Sequence, residues 1–130
     1  MSGVNTQLLG RWGEDRAAEY LRKQGYTIVS MGYRTRFGEI DIIAKDKYCV
    51  VFVEVKLRKS DKFAQAMEYV DPQKQVRIIT CAGLWITKHE SDLQPRFDVI
   101  EVYAPDGIRT MQPKINHIKN AFSGSIYADE

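Results

Sequence analysis

Gly38-Glu39-Ile40-Asp41-Ile42-Ile43-Ala44, followed after a short break by Phe52-Val53-Glu54-Val55-Lys56-Leu57-Arg58, places acids where strands should be apolar. Glu39 to Ala44 alternates acidic and aliphatic residues, and Tyr48 to Leu57 is a long apolar run that turns into an alternation at its end. With Asp46-Lys47 as a tight turn between them, the two read as a β-hairpin. Side chains alternate along a strand, so Glu39 and Asp41 share one face, Glu54, Lys56 and Arg58 share one face, and Val53, Val55 and Leu57 take the opposite, core-facing side. If Asp46 and Lys47 are the central turn residues, Lys45 faces Tyr48, Asp41 faces Phe52 and Glu39 faces Glu54. Asp41 and Glu54 are then diagonal neighbours, about 7 to 8 Å apart at Cα. A loop one residue longer or shorter would turn Asp41 to the other face.

Outward from the hairpin, the preceding chain reads as a helix and a strand. Leu9, Gly13, Ala17 and Leu21 recur every four positions between Thr6 and Gln24, and Gly25 offers a left-handed stop. Tyr26 to Tyr33 is rich in β-branched and aromatic residues and predicts a strand, with Arg34 to Phe37 as a basic turn. After the hairpin, Arg58 to Val70 has charges and no period, the pattern of a mobile loop near the site. Asp71 is an N-cap with Pro72 at the first helical position, and Val76, Ile79, Ala82, Gly83 and Ile86 form an apolar stripe to about Lys88. Arg96 to Tyr103 alternates as a strand, Pro105-Asp106-Gly107 turns, and Ile108 to Gln112 reads as a short edge strand. Lys114 to Phe122 reads as a brief helical turn before a polar tail from about residue 123. The order α-β-β-β-α-β-β predicts an α/β fold, a mixed sheet flanked by helices, with the Arg96 strand parallel to a hairpin member through the helical crossover.

Bulk composition bounds the function classes. A chain of 130 residues is near the commonest size for one domain, and 44% hydrophobic with 28% charged residues keeps it outside the disordered regime. Net charge is only +2, so any nucleic-acid footprint must be local. Residues 1–6 lack an apolar leader core and no apolar run approaches the length of a membrane span, which predicts a cytoplasmic protein away from the membrane. Cys49 and Cys81 sit in apolar stretches without metal-ligand spacing, as expected of small buried hydrophobes in a reducing compartment.

Acids facing one another across a hairpin repel unless something neutralises them. A bound Mg²⁺ or Mn²⁺ would do so, held by Asp41, Glu54 and the carbonyl of a residue such as Val55, with a phosphate completing the shell. Lys56 projects from the face of Glu54 and is placed to orient an attacking water or stabilise developing charge. Glu14, at the flank of the first helix's buried stripe, is placed to reach the same ion directly or through water, the alternative being a routine exposed glutamate. Lys74 and Arg77 lie in the first turns of the second helix, where the dipole favours acids, so a phosphate partner accounts for cations there. Gln73 adds a hydrogen-bond donor, and Arg34, Arg36, Arg58 and Lys59 extend a local basic rim. The competing reading is a solvated strand with surface ion pairs. Asp98 is a further site-side acid or a partner of Arg96, and His89 and His117 read as ordinary surface residues.

These residues together resemble the PD-(D/E)xK nuclease superfamily, whose signature is an Asp on one strand and an E-x-K triplet on the next. More closely, the chain is similar to the YraN-like family of uncharacterised bacterial proteins, and through it to archaeal Holliday-junction resolvases. The likeness runs through Gly10-Arg11-Trp12-Gly13-Glu14 with Ala17 and Ala18, Gly38-Glu39-Ile40-Asp41, Phe52 to Arg58, Lys74 and Arg77, Arg96-Phe97-Asp98-Val99 and Asn120-Ala121-Phe122. Ser30-Met31-Gly32-Tyr33 departs from it, standing where an Arg-Asn is expected before the aromatic residue. The resemblance implies a three-layer restriction endonuclease-like fold, Glu14, Asp41 and Glu54 as site acids, Lys56 as catalytic lysine, a magnesium-type ion and a homodimer. The expected function is metal-dependent hydrolysis of DNA phosphodiesters, at branched or junction DNA; the alternative is a non-catalytic nucleic-acid-binding protein using the same groove.

Overall fold

The computed structural model of the chain describes residues 6–59 and 70–124. Its elements are α1 (Thr6–Lys23), β1 (Thr27–Thr35), β2 (Gly38–Lys45), β3 (Cys49–Arg58), α2 (Pro72–His89), β4 (Gln94–Tyr103) and β5 (Lys114–Phe122). The strands form one five-stranded sheet in the order β1-β2-β3-β4-β5. Neighbours are antiparallel except β3 and β4, which run parallel across the α2 crossover, as the sequence predicts. Most of the expected Arg58 to Val70 loop lies outside the described residues.

The helices cover opposite faces, so the sheet's inner strands are apolar on both sides. Ala17, Ala18 and Leu21 of α1 pack with Ile42, Ala44, Val51, Val53, Ile100 and Val102. Ile78, Cys81, Ala82, Trp85 and Ile86 of α2 pack with Ile43, Val50, Phe52, Phe97 and Val99. Asp71 caps α2 as expected, its side chain accepting from the Lys74 N–H at 2.9 Å. Gly13 lets α1 lie close to the sheet, since a Cβ there would come within 2.9 Å of the Leu57 side chain. Gly13→Val is therefore expected to lift α1 and cost about 1–3 kcal/mol, read as a lower midpoint in urea.

Two local expectations are corrected. Gly107–Arg109 is a 3-10 turn, not part of an edge strand, and Lys114–Phe122 is the fifth strand, not a helical turn. The misreading has a physical cause: β5 carries polar side chains that answer acids on β4, the buried His117 side chain meeting Asp98 and the exposed Asn116 donating to the buried carboxylate of Glu101. The apolar alternation that marks a strand is thus replaced by polar pairing. Asn120, in the left-handed region at φ 55°, interrupts the period further.

The hairpin turn also sits one residue later than expected. Asp46 occupies the first turn position, where its side chain accepts from the N–H groups of Tyr48 and Cys49 at 2.9 and 2.8 Å. This favours Asp before the central pair, so Lys47 and Tyr48 become central. Every partner on β3 moves by two residues, giving Lys45 opposite Val50 and Ile42 opposite Val53. A shift of two preserves the faces.

Candidate functional site

Ile42–Val53 is the last paired rung of β2 and β3. Continuing the register puts Asp41 directly across from Glu54, closer than the diagonal arrangement the sequence suggested. Here the strands part, and the Asp41 carboxylate takes the donor that a ladder would have used, accepting from the Val55 N–H at 2.9 Å. The N–H and C=O of one strand residue point toward the same neighbouring strand, so the Val55 carbonyl is aimed at the same gap. Gly38 opens β2 just upstream, with φ +148° and α2 passing so close that a Cβ would lie 3.4 Å from Cβ of Arg77.

Four elements converge on this gap. Glu14 comes from α1 and brings its carboxyl beside that of Asp41, so that each feels the other electrostatically. Glu54 is buried, with 5% of its surface exposed. Its Oε2 receives the Lys74 ammonium from α2 in a short hydrogen bond and faces Lys56 Nζ at 3.8 Å. Burial and the charge of Glu54 push the Asp41 carboxyl up to about 8, with the charge of Glu14 adding to the rise and the Val55 N–H and Lys74 opposing it. Burial also raises Glu14, opposed by its hydrogen bond to Asp41 and reinforced by Glu39, Asp15 and Glu54. Burial works against the charged form of Lys74, but Glu54, Asp41 and Asp71 outweigh it and hold the ammonium above its ordinary range.

The remaining basic residues are spread around this centre. Arg34 pairs with Glu39 at 3.3 Å and, with Arg11 and Glu14, lines an open cavity of about 550 Å³ between α1 and β1. Arg36 lies over the Phe37 ring, 4.9 Å from its centroid. Gln73 and Arg77 stand exposed on α2, and Arg58 turns toward Glu101 at 3.2 Å.

The donors suit a hard divalent cation. All are oxygens, and Glu14, Asp41 and Glu54, when all three are ionised, outnumber the ammonium groups of Lys56 and Lys74. Among the described residues no group of three or more His, Cys, Asp or Glu side chains is placed to hold a metal ion, so a cation here would rest on two carboxylates. Mg²⁺ is ordinarily held by one or two carboxylates, with waters and phosphate filling the shell.

A family model described as uncharacterised protein family UPF0102 matches residues 13–102. The chain belongs to this family. It is 45% identical over 123 residues to UPF0102 protein TTE1452 of Caldanaerobacter subterraneus subsp. tengcongensis, covering 94% of this chain and all of that protein. A UPF0102 protein of Trichlorobacter lovleyi is 44% identical over 92% of this chain and 94% of its own length. One from Caldicellulosiruptor bescii is 46% identical over 92% of this chain and its whole length. The segment matched to UPF0102 runs from just before Glu14 to just past Glu101 and contains all the site residues.

Of two further buried carboxylates of this UPF0102 chain, sequence reading left the role of Asp98 open between two alternatives and missed Glu101. Asp98 accepts two hydrogen bonds from Arg96, at 2.9 and 2.8 Å, and others from the Asn120 N–H and His117 Nε2, at 2.9 and 2.7 Å. That settles Asp98 as an ion-pair partner of Arg96. The His117 side chain is 4% exposed, so it is turned into the protein and is not the surface group expected. Glu101 is fully buried and hydrogen-bonded by Arg58, Tyr103 and Asn116. The available signal was an acid inside an otherwise apolar run, Val99-Ile100-Glu101-Val102. Among the described residues no helix is long and apolar enough to cross a membrane.

Proposed function

We propose that this UPF0102 protein is a metal-dependent nuclease of the restriction endonuclease-like class, hydrolysing DNA phosphodiester bonds at branched or junction DNA. The observation that carries the reading is the gathering of Asp41, Glu54 and Lys56 where β2 and β3 part, with Glu14 of α1 beside Asp41. Asp41, Glu54 and the Val55 carbonyl would hold Mg²⁺ or Mn²⁺, with Glu14 reaching it through water. When bound, the cation supplies a polarised phosphoryl oxygen and an acidified water. Asp41 must give up its proton to serve, which the added positive charge favours. Lys56 stands beside Glu54, where its ammonium can orient the attacking water or meet charge developing on the phosphate. Lys74 balances Glu54 and presents a second cation to the backbone.

The test is incubation of labelled junction, flap and linear DNA with Mg²⁺ or Mn²⁺. Cleavage of at least one is expected, with Asp41→Asn and Lys56→Ala each slower by at least about 100-fold. No cleavage of any substrate, or equal cleavage by both variants, would sink the proposal.

The two lysines already committed to Glu54 favour a second reading, a nucleic-acid-binding protein without catalysis. Salt-sensitive binding that persists in Asp41→Asn, with no cleavage by the wild type, would select it. A homodimer follows from the likeness to resolvases and is checked by light scattering. The unpaired Cys49 and Cys81 fit a reducing cytoplasm.

A further inference from the structure

Glu101 has no part in the chemistry just described, yet its carboxylate is withdrawn completely from water. Burying a carboxylate is unfavourable unless it is paired, and a well-packed apolar side chain of similar size would often be as stable or more so. Stability alone therefore does not account for it. Its three donors are Arg58 Nε at 3.2 Å, Tyr103 Oη at 2.9 Å and Asn116 Nδ2 at 2.8 Å. The last two brace the carboxylate, and the first turns it into a holder for an arginine.

That arginine lies on the site's own face. Glu101 pairs in register with Lys56, and Arg58, two residues further along β3, shares the face of Lys56 and Glu54. About a quarter of the Arg58 side chain, 23%, remains exposed while its partner has none. Four residues of strand place Arg58 about 13 Å from Glu54. That backbone spacing, with the guanidinium held on Glu101, suits a phosphate flanking the one that would sit between Asp41 and Glu54.

We propose that Glu101 is a positioning residue that fixes the Arg58 guanidinium against a backbone phosphate flanking the reacting one. The proposal rests on the nucleic-acid reading above but not on cleavage. Its consequence has a distinctive sign. Removing a negative charge near a polyanion strengthens binding if charge alone matters, whereas loss of positioning weakens it.

The experiment measures binding of the full chain to a fluorescein-labelled four-way DNA junction and to a labelled single strand, in EDTA, across a series of KCl concentrations. Arg58→Gln is expected to weaken binding about tenfold at low salt and to lower the salt slope by about 1. Glu101→Gln, which keeps the shape and an acceptor for Tyr103 and Asn116, is expected to weaken it roughly three- to tenfold. The double variant is expected to bind no worse than Arg58→Gln, since both act through one contact. Arg58→Lys, which keeps the charge, surface position and Glu101 intact, is expected to weaken binding at least about threefold because it loses the planar fork.

Equal or tighter binding by Glu101→Gln overturns the proposal, as does a double variant whose losses multiply. If Glu101→Gln fails to fold, unchanged binding by Arg58→Lys overturns it. A wild type that binds neither probe defeats the nucleic-acid reading together with this inference, whereas a wild type that binds while the variants do not weaken defeats the inference alone.

Discussion

Asp41→Asn is expected to melt higher than the wild type at pH 8 to 9 without metal, by at least about 2 kcal/mol or roughly 5–10 °C. Asparagine keeps the shape, can accept from the Val55 N–H and can donate to Glu14, while removing a charge that Glu54 and Glu14 repel. The sign follows from the shift. Asp41 is raised from its ordinary 3.8 to about 8 in the folded protein, so between those values the native state holds a proton that the unfolded state has lost. Its contribution is fully present below about pH 4, falls as the pH rises, and is lost once the pH passes about 8. Added Mg²⁺ or Mn²⁺ is expected to restore the wild-type melting temperature at pH 8 and to leave Asp41→Asn nearly unmoved. A wild type that does not respond to either ion, or a variant that responds equally, would remove Asp41 from the metal site.

The second large effect concerns Asp98, a buried carboxylate with partners of its own outside that chemistry. Asp98→Ala is expected to destabilise the protein by about 3–5 kcal/mol, a fall in melting temperature of roughly 10–20 °C. Asp98 has no exposed surface, and its removal strands the Arg96 guanidinium and His117 in the interior. Arg96 also donates to Tyr26 Oη at 2.7 Å, and His117 Nδ1 lies 3.2 Å from Tyr20 Oη, so one carboxylate ties β4 to β5, α1 and the start of β1. Burial alone would raise Asp98, but the hydrogen bonds from His117, Arg96 and Asn120 overcome it and hold the group below its ordinary value. Its stabilisation is therefore present above the ordinary carboxylate range and lost as the pH falls through the lowered value. Thermal melts between pH 3 and 8 check both signs: the acid limb should flatten in an Asp98 variant and the alkaline decline in Asp41→Asn.

These two carboxylates also mark how far the sequence could be read. Asp41 and Glu54 were legible because strand alternation has a period of two, and a turn displaced by one residue shifted their partners by two without changing faces. The turn itself was misplaced because a side-chain hydrogen bond, that of Asp46, chose the central pair. α1, α2 and the parallel strand were legible from four-residue spacing, a capping aspartate and the crossover rule. β5 was not, because its polar groups answer acids on β4 that lie distant in sequence. Nor does any local pattern tell that Lys74, from α2, lands on Glu54. Such pairings are properties of the assembled sheet.

The site draws Glu14 from α1, Asp41 and Glu54 from the sheet and Lys74 from α2, with the helices on opposite faces. Asp41 and Glu54 already face each other across the hairpin, whereas the third carboxylate joins them only when α1 closes over the sheet, so part of the repulsion is added at that step. The docking of α1, which brings the third carboxylate, carries that electrostatic cost. Amide exchange in α1 is accordingly the place where alkaline pH should loosen this molecule first and a divalent cation should tighten it.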